Sequence, residues 1–231
     1  VSSPIRPLVL ASASERRREL LALLGLPFVV WPVEIDETAR PGESALHLVA
    51  RLGATKAAIA RQHLLRSSAA SSYSLVIGAD TVVALPDRML GKPRDEEEAT
   101  SMLRQLRGRA HNVHSAVAIV EIASGRAVIH IDTSRVWMRQ YSDAEIAAYV
   151  ATGDPLDKAG AYAIQHSGFH PVERLEGCFS GVMGLPLATL ARALTHFGVH
   201  LDIETNVASA CRARTGYPCC LNGAQLSGGG R

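Results

Sequence analysis

No strong charge imbalance marks this chain, whose 231 residues carry a formal net charge of only +2. That excludes a polybasic surface for nucleic acid or anionic membrane as a compositional feature, so any phosphate binding has to come from local arrangement. Long hydrophobic runs are also missing. None approaches the roughly 20 apolar residues of a spanning helix, and residues 1–10 lack the apolar core and cleavage pattern of a signal peptide. The cytoplasm is therefore the expected compartment. Cysteine is scarce: Cys178, Cys211, Cys219 and Cys220 come late and lack the paired spacings of a zinc site or redox motif. They read as incidental to the tail, although the vicinal pair Cys219-Cys220 is open to oxidation or adventitious metal. Internal repeats are absent, and no linker rich in Pro, Gly or Ser divides the chain. One domain over 7–198 is expected, followed by an extension over 199–231 in which periodicity fades and 206–225 is loosely attached.

What is present is a chain that is 47% hydrophobic, enough for one substantial core or for two lobes sharing a cleft. Strand-like runs stand at 8–11, 28–33 and 75–83, with a strand pair at 113–122 and 127–136 joined near Ser124-Gly125. Helical patterns fill the gaps. The first covers 16–24, with Leu20, Leu21 and Leu24 on one side and Gly25 as C-cap. Ser44 caps a long helix to about 63, with Leu48, Leu52 and Ile59 on its buried face. Further helices are read at 96–106, at 143–150 behind Ser142 with Glu145 completing a capping box, and at 186–197. Such alternation favours an α/β layer structure with a mixed sheet.

Five segments concentrate the chemistry. Asp80 lies inside Leu75-Val76-Ile77-Gly78-Ala79-Asp80-Thr81-Val82-Val83, and a charge in so apolar a strand usually serves a counter-ion, a metal or a reaction. Ser12, Ser14, Arg16 and Arg17 follow a strand and open a helix, where backbone donors and guanidinium groups can grip phosphate; the plainer alternative is a surface helix with basic residues, as Arg18 illustrates. Glu34, Asp36 and Glu37 offer oxygens to Mg²⁺ or Mn²⁺ if Asp80 joins them, and are otherwise solvated loop acids. Lys92 and Arg94 can meet phosphate or pair with Asp95 and Glu96. Lys158 and Gln165 frame a bend at Gly160, where glutamine can present both a donor and an acceptor, or where an ordinary polar turn precedes a strand.

Taken together these segments resemble the Maf family of nucleoside triphosphate pyrophosphatases. Leu10-Ala11-Ser12-Ala13-Ser14-Glu15-Arg16-Arg17 looks like its opening motif, Gly78-Ala79-Asp80-Thr81-Val82-Val83 its acid motif, and Gly91-Lys92-Pro93-Arg94-Asp95 its lysine motif. Asp157-Lys158-Ala159-Gly160-Ala161-Tyr162-Ala163-Ile164-Gln165 and Val182-Met183-Gly184-Leu185-Pro186-Leu187 complete the set in order. The resemblance implies hydrolysis between the α and β phosphates, a mixed and highly curved α/β sheet with two lobes around the cleft, as in inosine triphosphate pyrophosphatases, a homodimer, and dependence on a divalent metal. It makes Asp80 the proton acceptor and Glu37 the better metal candidate, with Asp80 as a competing one. Arg16, Thr81 and Gln165 match positions of substrate selection, and Ser12, Ser14, Arg17, Lys56, Lys92 and Lys158 become phosphate or cleft contacts. Arg16, Thr81 and the 158–165 segment look like the branch acting on dTTP and UTP; a branch acting on 7-methyl-GTP differs around the same segments. Two departures stand out: Glu15 replaces a common proline, and Ser180-Gly181 occupies a region that often holds asparagine. A nucleotide-binding module without hydrolysis is the alternative from another class, and neither nucleic acid nor membrane is required as a partner.

Overall fold

Both faces of the first strands are covered, which explains their unbroken apolar runs. The computed structural model describes residues 6–68 and 70–218, together with the backbone of 225–226. In β1 (Leu8–Leu10) the outer pair Leu8 and Leu10 joins the main core, while Val9 faces a second cluster with Ala57, Ala60 and Val76. β3 (Leu75–Ala84) divides in the same way: Ile77, Ala79 and Val83 enter the main core and Val76 and Val82 face α2 (Ala45–Leu65). By that alternation Asp80 belongs to the α2 face and Thr81 to the opposite one.

The remaining elements are α1 (Glu15–Ala22), β2 (Phe28–Val30), β4 (Met89–Leu90), α3 (Glu96–Leu106), β5 (Ala110–Glu121), β6 (Ala127–Met138), α4 (Asp143–Val150), β7 (Val172–Glu176), α5 (Phe179–Met183), α6 (Leu187–Thr195), α7 (Ala208–Thr215) and β8 (Gln225–Leu226). They build one mixed sheet in the order β2-β1-β3-β5-β6-β7-β8, with β4 on β3. β1 runs parallel to β2 and β3, and the other pairings are antiparallel.

The expectation of a highly curved sheet is corrected here. The sheet is open, neither closed nor strongly curled, with β2 and β8 at its unpaired ends. Strong bending needs bulges, and the ladders at the centre have none: β3 meets β5, and β5 meets β6, residue for residue along their length. A register shift occurs further out, between Trp137 and Met138.

Local chemistry sets the helix ends. Ser44 accepts from the His47 amide, Asp95 from Glu98, and Ser142 forms the expected capping box with Glu145. Past residue 199 the chain makes a π-helical turn at Ile203–Val207 and then α7, placing Val207 and Cys211 in the main core. Cys219 and Cys220 lie outside the described residues. No described helix is long and apolar enough to cross a membrane.

One glycine positions the site. A Cβ at Gly78 would stand 2.2 Å from the Gly53 carbonyl oxygen and 2.8 Å from the Ala57 nitrogen, so α2 lies directly on β3 at this point. Gly78→Ala is expected to lift α2 from the sheet. It should cost at least about 1–3 kcal/mol, read as a lowered denaturation midpoint, and should weaken turnover because Lys56 moves with the helix.

Candidate active site

Along α2, Leu52, Lys56 and Ala60 are four residues apart and share the inward face, so a lysine is carried into the layer between helix and sheet. Its stem is covered by the packing and its ammonium meets two acids. Lys56 Nζ donates to Asp80 Oδ1 and to Glu37 Oε1, each at 2.6 Å. The Asp80 and Lys56 side chains are 8% and 7% exposed, a buried pair, whereas Glu37 at 43% reaches the pair from the solvent side. Burial pushes the Glu37 carboxyl up, but Lys56 outweighs it with help from Lys92 and Arg17 and holds it below the ordinary value.

Arg17 approaches from the opposite side of the sheet. Ser14 caps α1 by accepting from the Arg17 amide, and the Arg17 side chain donates from Nε to the Gly184 carbonyl at 2.9 Å and from Nη2 to Thr81 Oγ1 at 3.4 Å. Burial draws its pKa down while Asp80 and Glu37 draw it back up; an arginine remains charged throughout.

These groups line a cleft of about 880 Å³, within the size range of nucleotide-sized sites. Ser12, Ser14, Arg16, Arg17, Glu37, Lys56, Asp80, Thr81, Lys92, Lys158 and Gln165 all line it, whereas Asp36 and Arg94 do not. Their states differ. Lys92 is exposed and 3.9 Å from Glu37 Oε2, open to an anion. Gln165 is exposed on the wall, with no side-chain hydrogen bond to a described residue. Ser12 Oγ accepts from the Ser14 amide, and Arg16 is tied to Asp157 Oδ2 at 2.8 Å.

Lys158 lines the cleft and is engaged by acids of its own segment. Buried at the wall, its ammonium has three acceptors within 2.9 Å: the Asp154 carbonyl, Asp154 Oδ1 and Asp157 Oδ1. Burial pushes Asp157 up, yet Lys158 and Arg16 hold it below its usual range. The lysine therefore fixes the acid that fixes Arg16. Asp36 turns away, accepting from the Thr38 amide, while Glu34 stays at the rim.

Glu37 Oε2 and Asp80 Oδ2 receive no hydrogen bond from a described residue. Two hard carboxylate oxygens suit Mg²⁺ or Mn²⁺, which bind through one or two protein carboxylates and complete their shell with water and substrate phosphate. Among the described residues no group of three or more His, Cys, Asp or Glu could hold a metal without such help. The donor set thus fits a cation that arrives with a polyphosphate.

The sequence model described as Maf-like protein matches residues 7–197. This chain belongs to the Maf family. It is similar to the dTTP/UTP pyrophosphatase of Pelotomaculum thermopropionicum, 44% identical over 197 residues that cover 85% of this chain and all of that one. The dTTP/UTP pyrophosphatases of Methylococcus capsulatus and Thermomicrobium roseum are each 47% identical, covering 83% of this chain and 91% and 84% of their own lengths. The solved Ham1 protein of Staphylococcus aureus aligns with 72% of the chain at 15% identity and a TM-score of 0.42, too low to carry a fold assignment.

In this Maf-family chain several residues in or behind the cleft wall carried no role in the sequence. Tyr162, inside a quoted motif, lines the cleft and meets His111 Nε2 through its hydroxyl at 2.8 Å. Burial lowers the His111 pKa to about 4, so the imidazole stays neutral behind it. Asp157 stood in the same motif without a role. Ser115 gave no signal, because its place opposite Thr81 depends on strand register.

Proposed function

We propose that this chain is a dTTP/UTP pyrophosphatase: a nucleoside triphosphate and water become the monophosphate and pyrophosphate. The observation that carries the reading is Asp80, almost wholly buried, clamped at one oxygen by Lys56 and facing the cleft with the other uncommitted. That is the setting of a carboxylate which takes a proton from water or ligates a cation. The relatives of 44% and 47% identity, all named dTTP/UTP pyrophosphatases, support the substrate assignment.

The residues divide the work. Asp80 orients water and accepts its proton; Lys56 holds the carboxylate in place through its hydrogen bond to Oδ1. Arg17 and Lys92 stabilise charge on the transferring group and on the departing pyrophosphate. A divalent cation held by Glu37 would neutralise phosphate charge when bound, and Asp80 Oδ2 could join it only in place of taking the proton. A cytoplasmic homodimer acting on free nucleotides is the proposed setting, with no need for nucleic acid.

The deciding experiment follows pyrophosphate release from dTTP, UTP, 7-methyl-GTP and the common purine triphosphates, with Mg²⁺ or Mn²⁺ and with chelator. Turnover confined to dTTP and UTP is expected. Preference for 7-methyl-GTP would move the chain to the other branch, and binding without product would make it a non-catalytic module.

Base choice is assigned to Gln165, whose amide offers a donor and an acceptor to the carbonyl and imide edge shared by thymine and uracil. Gln165→Ala is expected to cost about 1–3 kcal/mol of discrimination, visible as a fall in kcat/KM for dTTP and UTP larger than for any other triphosphate. An equal fall for every base would remove Gln165 from recognition.

A further inference from the structure

Thr81 and Ser115 stand opposite each other on β3 and β5, and both hydroxyls lie on the face away from Lys56. Four groups form a line there. Arg17 Nη2 lies 3.4 Å from Thr81 Oγ1, Thr81 Oγ1 lies 2.8 Å from Ser115 Oγ, and Ser115 Oγ lies 2.7 Å from the Gly181 carbonyl oxygen. The ends fix its direction. A guanidinium only donates and a carbonyl only accepts, so Ser115 gives its proton to Gly181 and Thr81 gives its proton to Ser115. Thr81 is left with its lone pairs toward Arg17, and its hydroxyl proton is already spent. The second anchor of Arg17, Nε on the Gly184 carbonyl, comes from the same short segment as Gly181. Ser115 is 1% exposed and does not line the cleft, so it reaches a nucleotide only through its neighbours.

We propose that Ser115 is a positioning residue for the reaction: through Thr81 it fixes the guanidinium plane of Arg17, so that the relay Arg17–Thr81–Ser115–Gly181 aims the remaining N–H donors at the polyphosphate. Thr81 then bears on phosphate geometry as well, beside the substrate-selecting role implied by the resemblance. This inference rests on the proposed function for its kinetic readout. The physical reason for an effect on rate is that a donor misplaced by even an ångström loses much of its hold on charge developing in the transition state.

The test is a double-mutant cycle. Ser115→Ala is expected to lower kcat roughly ten- to a hundredfold, by the same factor for dTTP and UTP, and to have no further effect once Arg17→Ala is present. Thr81→Val, which keeps the shape and loses the hydroxyl, should reproduce that loss, and Thr81→Ser should retain the native rate. If Ser115→Ala does not fold, the two Thr81 variants carry the test. A loss that multiplies undiminished on the Arg17→Ala background, a loss specific to one base, or native turnover in Thr81→Val would overturn the relay. Calorimetric binding of inorganic tripolyphosphate separates this inference from the proposed function. A native chain that binds tripolyphosphate but hydrolyses no nucleotide sinks the function, while the relay stands if Ser115→Ala weakens that binding on the order of tenfold only when Arg17 is intact. A chain that does neither overturns both.

Discussion

Asp80→Asn is expected to lower kcat for dTTP by roughly 10²–10⁴-fold, the range contributed by a positioned acid or base, with KM little changed. Asparagine keeps the shape and one carbonyl oxygen, so Lys56 retains an acceptor at this position and its second partner, Glu37, at 2.6 Å. The fold should persist, checked by circular dichroism and by binding of the unhydrolysed nucleotide. What disappears is the negative charge that accepts a proton or ligates a cation. Turnover near the native rate would remove Asp80 from the chemistry and leave the cleft without its central group. A fall in turnover matched by loss of metal dependence would assign Asp80 mainly to the cation; a fall with metal dependence intact would assign it mainly to the proton.

That Asp80 was legible follows from contrast, since one acid interrupts nine residues otherwise apolar or small. Elements with local signals were legible too. α3 occupies the residues its periodicity indicates, and the Ser142 and Glu145 side chains form the box their spacing allows. β2 is shorter than the apolar run because pairing stops once the Trp31 amide reaches the Leu10 carbonyl and Pro32, without an amide hydrogen, follows. Elements held by tertiary contact gave little signal. β7 is an outer strand rich in charge, and α5 is too short to declare a helical period. α7 has a weak apolar face and is anchored by Cys211 and by an Arg214 to Glu19 bridge from the far end of the chain.

Within the site, residue types were readable and their pairings were not. Ile59 was expected on the buried face of α2, yet it is half-buried, and the smaller Ala57 and Ala60 pack beneath the helix where Gly78 lets the backbones approach. Lys158 was given as a phosphate or cleft contact by the family resemblance alone, and its pairing with Asp154 and Asp157 could not be read from the motif. The curved sheet was an expectation from family likeness rather than from residues, and uninterrupted ladders replace it.

Lys56→Met carries the largest expected effect on stability, about 3–5 kcal/mol, which for a chain of this size is a fall of roughly 10 °C in Tm. Methionine fills most of the same space, so the loss is electrostatic: Asp80, 8% exposed, is left without its cation. Most of the cost belongs to that buried pair. The Glu37 contact, 43% exposed on the acid's side, is screened by water and adds little. Acid should narrow the gap. The folded state holds Glu37 below its ordinary value of 4.5, so its contribution is fully present above that pH and is lost as pH falls through the lower folded value. Lys56 is the strongest influence lowering it, so the variant has less of this contribution to lose. Urea denaturation of both proteins at pH 7 and at about pH 4 reads the prediction directly: a large difference in midpoint at neutral pH and a slightly smaller one in acid. Equal midpoints at pH 7 would mean that Asp80 is held in its buried place without the ammonium, and the clamp assigned to Lys56 would fall with it.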